Sequence, residues 1–158
     1  MYLLDTDHLS LLERGGAESL PLQRRLEPIP AEEIATTIIT YEEQTRGWLA
    51  QVARARTVAQ QIKAYAKLSK HLETYRNLTV LDFDEEAAVR FQELRRSRVR
   101  IGSMDLKIAA IALANDAVLV TRNLVDFRKV PRLAAEMERL RRKARVSLKA
   151  LGGPAREG

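Results

Sequence analysis

Met1-Tyr2-Leu3-Leu4-Asp5-Thr6-Asp7 sets a short apolar run directly in front of two carboxylates, and the reading of that stretch decides the fold. Tyr2 to Leu4 is too short and too uniformly apolar for a strand with one wet face, so it predicts a central parallel strand covered on both sides. Asp5 then falls at the carboxyl end of the strand, where open α/β sheets bind their ligands. A plainer reading competes for the same residues: Thr6 or Asp7 caps a helix that begins near His8.

Outward from this stretch the chain alternates strand and helix. Thr6 to Arg14 carries Leu9, Leu11 and Leu12 and stops at Gly15-Gly16, the pattern of a short helix with a glycine end signal. Glu18 to Leu26 predicts a second helix, closed by Pro28 and Pro30. Ile34 to Ile39, Leu78 to Leu81 and Val118 to Val120 are short and rich in β-branched and aliphatic residues, so they predict three further strands. Two helices, Tyr41 to Arg56 and Thr57 to Arg76, lie between the second and third strands. In the latter, Val58, Ile62, Tyr65, Leu68, Leu72 and Tyr75 form one apolar stripe, suited to a core, a dimer face or a partner's groove. Asp84 caps a helix through Arg95 whose inward face is Ala87, Ala88, Phe91 and Leu94. Ser103 caps another, Met104 to Asn115, that is apolar nearly all round and therefore buried. The expected fold is α/β, a three-layer α/β/α sandwich with a four- to five-stranded, mostly parallel sheet. A fifth strand is due after Val130, yet Pro131 to Glu136 reads as helical.

With 158 residues and 46% hydrophobic content, the chain is one domain's worth with a real core. No signal-peptide pattern or bilayer-length apolar run is present, so the expectation is a cytoplasmic protein with no membrane association. Without cysteine there are no disulfides or thiolate metal sites, and any metal must use oxygen ligands or the two histidines. His8 and His71 do not stand at metal-ligand spacing. The net charge of +6 is uneven: from Arg132 onward eight Lys and Arg face three Glu, which leaves +1 for residues 1–131. That division suggests a domain over 1–131 and a basic, helical tail over 132–158, either docking a polyanion or an acidic partner or simply keeping the chain soluble.

The acids carry the chemistry. Asp105 lies over Ile108, Ala109 and Ala112 on a helix with almost no other polar surface, where a lone carboxylate is costly unless paired, metal-bound or wet. It could equally be a first-turn acid complementing the helix dipole. Glu42 and Glu43 open the third helix: Glu42 suits an exposed pair with Arg46, Glu43 faces Gly47 and Ala50, and periodicity does not separate them. Asp126 collects with Thr121 and Asn123 after the last clear strand. Four elements thus present carboxylates where strand ends converge, with Asp7 as a fifth. Such a cluster suits one or two hard divalent cations, which take oxygen ligands, clamp a phosphate and supply hydroxide for in-line attack.

These residues resemble the PIN-domain family, and within it the VapC-type toxin ribonucleases of toxin–antitoxin pairs. The matching stretches are Tyr2-Leu3-Leu4-Asp5-Thr6-Asp7-His8-Leu9-Ser10; Ile39-Thr40 with Glu43 and Gly47; Ile101-Gly102-Ser103-Met104-Asp105-Leu106 with Ile108-Ala109-Ala110; and Val120-Thr121-Arg122-Asn123 with Asp126-Phe127 and Val130-Pro131. The resemblance implies that Asp5, Glu43, Asp105 and Asp126 are the catalytic metal ligands, which selects Glu43 over Glu42. It implies Mg²⁺ or Mn²⁺, hydrolysis of RNA, chiefly single-stranded, a homodimer and a cognate antitoxin. Thr6 and Thr121 would hydrogen-bond the cluster. Asn123 stands where relatives often carry an Asp, so one ion or two stays open, and Asp7 is either a supporting acid or a cap. Arg95, Arg96, Arg98, Arg100 and Arg122 are expected to meet the RNA backbone, as is the tail.

Two other readings compete. Leu4-Asp5-Thr6-Asp7 mimics the start of a haloacid-dehalogenase-like phosphatase, with Asp5 as covalent nucleophile, although the Gly-Thr expected after Asp7 is missing. A binding module for RNA or a partner, with the fold but no activity, is the non-enzymatic alternative.

Overall fold

The central strand is the opening stretch. In the computed structural model, which describes residues 1–135, β1 (Tyr2–Leu4) pairs in parallel with β2 (Ile34–Thr37) on one side and β4 (Val118–Val120) on the other. β3 (Thr79–Leu81) extends the sheet beyond β2, giving the order β3-β2-β1-β4. The chain moves outward from β1 to β3 and then returns to the far side of β1. The topological switch therefore lies between β1 and β4, and their carboxyl ends are Asp5 and Thr121.

β1 is buried on both faces because its alternate side chains feed different cores. Leu3 joins Ala35, Ile39, Leu119 and the apolar helix α6 (Ser103–Ala114), with Ala87 and Leu94 of α5 (Glu85–Arg96). Tyr2 and Leu4 point the other way, onto Leu9 and Leu11 of α1 (Thr6–Arg14) and Leu22 and Leu26 of α2 (Leu20–Leu26). Helices on both faces of a parallel sheet make the expected three layers. Two longer helices, α3 (Ile38–Arg54) and α4 (Val58–Arg76), pack on each other, and a Thr57/Gln60 capping box starts the second. A four-residue helix, α7 (Leu124–Phe127), follows β4.

Several boundaries depart from the sequence expectation. β2 stops at Thr37, whose hydroxyl accepts the Thr40 N–H and so caps α3, which takes Ile38 and Ile39 into the helix. Gly102, not Ser103, stands at the N-cap of α6. Pro131 to Ala135 is not helical: Leu119 donates its N–H to Ala134, and Ala135 bridges Leu119 in parallel. A buried strand edge needs acceptors, and this segment supplies one as the start of a fifth strand position. Residues 136–158, which hold nearly all of the expected basic tail, lie outside the described residues. The α4 stripe is divided: Val58, Ile62 and Leu72 are 72%, 66% and 58% exposed, Leu68 is half-buried and Tyr75 packs against the core, while Ala64 and His71 are the buried residues of that helix.

Candidate metal centre

Asp5 leaves β1 in extended conformation and caps α1 itself, its Oδ1 accepting the backbone N–H of His8 at 2.9 Å. The Nδ1–H of His8 donates to the same oxygen at 3.0 Å, and both side chains are buried. Oδ1 is therefore held twice over, while Oδ2 has no such tie among the described residues. Neither Thr6 nor Asp7 is the cap, and Asp7 is exposed in the first turn of α1.

A threonine-rich floor lies beside it. Thr36 donates to the Leu4 carbonyl at 2.9 Å, and Thr37 donates to Thr40 at 3.1 Å. The Thr6 hydroxyl donates to Glu43, which fixes that half-buried carboxylate against α1. Glu42, one residue earlier, pairs with Arg46 on the exposed face of α3. The two glutamates that periodicity could not separate thus lie on different faces, and only Glu43 meets the strand ends.

Asp105 enters from the first turn of α6, and Asp126 from α7 beyond β4. Burial, followed by the charges of Glu43, Asp126, Asp5 and Asp7, holds the Asp105 carboxyl above the ordinary carboxylate range. Asp105 thus feels the charge of acids carried by three other elements, α1 with its cap, α3 and α7. Asp105 has no hydrogen-bond partner among the described residues. Asp126 is the opposite case: hydrogen bonds from Lys129 (2.6 Å) and Asn123 (3.1 Å) hold its carboxyl below the usual range. Thr121 is fully buried at the end of β4 and accepts the Asn123 N–H at 2.9 Å, which shapes the turn into α7.

No group of three His, Asp or Glu side chains among the described residues is drawn tightly enough to hold an ion as it stands. Asp5, Glu43 and Asp126 each bond a neighbour, His8, Thr6 and Lys129 in turn. The donor set is nonetheless all oxygen and strongly negative, which fits a hard divalent cation. Of the expected RNA-facing cations, Arg95 and Arg96 end α5, and Arg98 and Arg100 lie on the loop that leads directly into the Asp105 end of α6. Arg122 is exposed beside Thr121.

A PIN domain family model matches residues 2–133. The chain belongs to the PIN domain family. Ribonuclease VapC2 of Rickettsia felis is 36% identical over 63 residues, covering 37% of this chain and 47% of that protein, so the match spans about half the relative's length. Among solved structures, VapBC2 from Rickettsia felis bound to a promoter DNA fragment superposes with a TM-score of 0.63 at 24% identity, covering 85% of this chain and 96% of that one. A toxin–antitoxin complex from Klebsiella pneumoniae gives 0.64 at 23% identity, over 87% and 97%. These similarities show the PIN fold, and with it the phosphatase alternative falls.

Sequence reasoning left two features of this PIN domain unread. His8 does not stand at metal-ligand spacing, yet it grips Asp5; its place three residues after a helix cap, where a side chain can turn back onto the cap, is the signal that could find it. The second is a closed polar network one helix layer away. Glu13 of α1 accepts from His71 Nδ1 and from Gln44 Nε2, both at 3.2 Å, and the Thr45 hydroxyl bonds His71 Nε2 at 2.9 Å. Gln44 also donates to Ser10 and accepts the Tyr75 hydroxyl at 2.6 Å. Burial first, then the Glu13 charge, raises the Tyr75 phenol far above its usual range, so it stays a donor. Tyr41 stacks on His71 and meets Tyr75 edge-on.

Proposed function

We propose that this PIN domain is a metal-dependent endoribonuclease acting on single-stranded RNA, and the toxin of a type II toxin–antitoxin pair. What supports the reading is that Asp5, Glu43, Asp105 and Asp126 stand on four elements at the carboxyl-end side of the sheet in a PIN fold, and that Asp105 has no hydrogen-bond partner among the described residues. Mg²⁺ or Mn²⁺, one ion or two, would be held by these four carboxylates and would polarise the scissile phosphate and make water nucleophilic at neutral pH. The chain's own contribution is orientation. His8 and the His8 N–H fix one oxygen of Asp5 and leave the other for the crevice, Thr6 aims Glu43, and Asn123 steadies Asp126. Thr121, buried behind Asn123, sets that turn, and Asp7 adds negative charge at the rim.

Arg95, Arg96, Arg98, Arg100 and Arg122 supply cations on the α6 and β4 sides of the crevice for the RNA backbone. The exposed stripe of Val58, Ile62, Tyr65 and Leu72 on α4 supports docking of an antitoxin or a second copy, since single exposed apolar residues are ordinary but a row of them is not. No helix among the described residues is long and apolar enough to cross a membrane.

The test is cleavage of a single-stranded RNA by the purified protein in Mn²⁺. Asp5→Asn and Asp105→Asn are each expected to lower the rate by about 10²–10³-fold, the scale of losing one preorganised charge contact. Equal cleavage by both variants would refute the acid site. An inactive wild type that still binds RNA would favour the binding module.

A further inference from the structure

We infer that a basic hollow beside the Glu13–His71 network is a second contact for RNA, in which a base stacks on Trp48. It rests on the ribonuclease reading above and adds where the strand runs after it leaves the acids. The hollow, about 330 Å³, is lined by Glu13, Arg14, Trp48, Lys67, Lys70 and His71. A neighbouring hollow of about 290 Å³ shares Lys67 and adds Arg54 and Lys63.

Charge decides what fits. Glu13 is the one acid lining the two hollows, and both of its carboxylate oxygens are already engaged, by His71 and Gln44. Arg14, Lys67, Lys70, Lys63 and Arg54 form no salt bridge among the described residues. Five cations lining two adjoining hollows whose one acid is already engaged suit a polyanion rather than a neutral ligand. Trp48 supplies the flat surface that single-stranded nucleic acids use for stacking beside a basic groove. Lys67 Nζ now sits 5.8 Å from its ring centre, an exposed contact that a base can replace.

Position agrees with charge. α1 and α3 both start at the acids and run away from them toward this hollow. Arg14 lies about 13 Å along α1 from Asp5, and Trp48 about 7.5 Å along α3 from Glu43, at 1.5 Å per residue. Trp48 shares a face of α3 with Gln44, four residues back, so the hollow lies further along the α1–α3 seam that begins at the Thr6–Glu43 contact and continues through Ser10–Gln44. Helical spacing puts Lys63, Lys67 and Lys70 on the opposite flank of α4 from Val58, Ile62, Tyr65 and Leu72, so the basic hollows and the apolar stripe are separate surfaces.

Trp48 is the sole tryptophan of the chain, which makes it a direct reporter. Full-length protein in EDTA, where no cleavage occurs, is titrated with octauridylate while tryptophan emission is followed with red-edge excitation. The expected result is saturable quenching whose log affinity falls against log salt with a slope of about −2 or steeper, the value for three or more phosphate contacts on a single strand. Lys67→Glu with Lys70→Glu, both exposed side chains, should weaken that binding at least tenfold while the melting curve shows a folded protein. Quenching that is absent, insensitive to salt or unchanged in the double variant overturns the proposal, as does quenching by a polyglutamate peptide and not by RNA. Cleavage in Mn²⁺ without quenching would sink this contact and leave the ribonuclease reading standing; quenching without cleavage would do the reverse.

Discussion

Two carboxylates, Asp5 at the cap of α1 and Glu13 in its last turn, meet histidines, Asp5 through His8 and Glu13 through His71, yet they end in opposite electrostatic situations. Around Glu13 every donor finds an acceptor: His71, Gln44, Thr45, Ser10 and Tyr75 close on one another, and no buried side-chain polar atom among the described residues lacks a partner. Around Asp5 the bonds hold single carboxylates in place, while Asp105 has no hydrogen-bond partner among the described residues and is raised by burial and by the charges of Glu43, Asp126, Asp5 and Asp7. A closed network has used its polarity on the fold. The acids at the strand ends keep like charges near one another, and that difference is what the proposed ion site rests on.

That contrast can be broken from either side. His71→Ala opens the closed network and leaves Glu13 buried without its main partner, so urea unfolding should show a loss of about 3–5 kcal/mol. A loss below about 1 kcal/mol would mean that the network is dispensable. His8→Ala tests the other histidine: its first effect is expected on Mn²⁺ affinity, down about 10–100-fold as when the partner that orients a ligand is removed. His8→Asn, whose amide can reach where Nδ1 stood, should recover part of it. Equal affinities for His8→Ala and wild type would make His8 a packing residue only.

Asp105→Asn should act in the reverse direction on stability. The folded-state pKa of Asp105 is raised, so its contribution is fully present below the unfolded carboxylate value and is lost as pH rises through the folded value. Near neutral pH the charged group therefore weighs against folding, and the variant without metal should melt higher. The gain is at most about 2–4 °C, the response to about 1 kcal/mol, because a half-exposed carboxylate is screened by solvent. Below the carboxylate range the two proteins should melt alike, and a gain that persists there would remove charge as its cause. The smallest effect belongs to α4, where Ile62→Ser and Leu72→Ser should change stability by no more than about 0.5 kcal/mol; a larger loss would place that stripe in the core after all.

Much of this was legible in the sequence where one physical demand acts alone. Tyr2-Leu3-Leu4 and the apolar helix around Ile108 to Ala112 admit little besides burial, and both are core. Reading failed where two demands compete. Ile38 and Ile39 favour a strand by composition, but the Thr37 cap starts a helix before them. Spacing leaves the α4 stripe open between a core, a dimer face and a partner's groove; burial falls on Ala64 and His71 instead, where the closed polar network draws that face inward. Glu42 and Glu43 were indistinguishable by period; their faces separate only once Thr6 comes across from α1. His8 was passed over since its role depends on Asp5 being the cap.

Calorimetric titration of Mn²⁺ into the wild type and into Asp105→Asn tests the central claim, that the acids at the strand ends form an ion site. The account predicts saturable binding to the wild type and an affinity at least tenfold weaker in the variant, the scale of about 1.4 kcal/mol or more. Equal binding to both proteins, or none to the wild type, would contradict it.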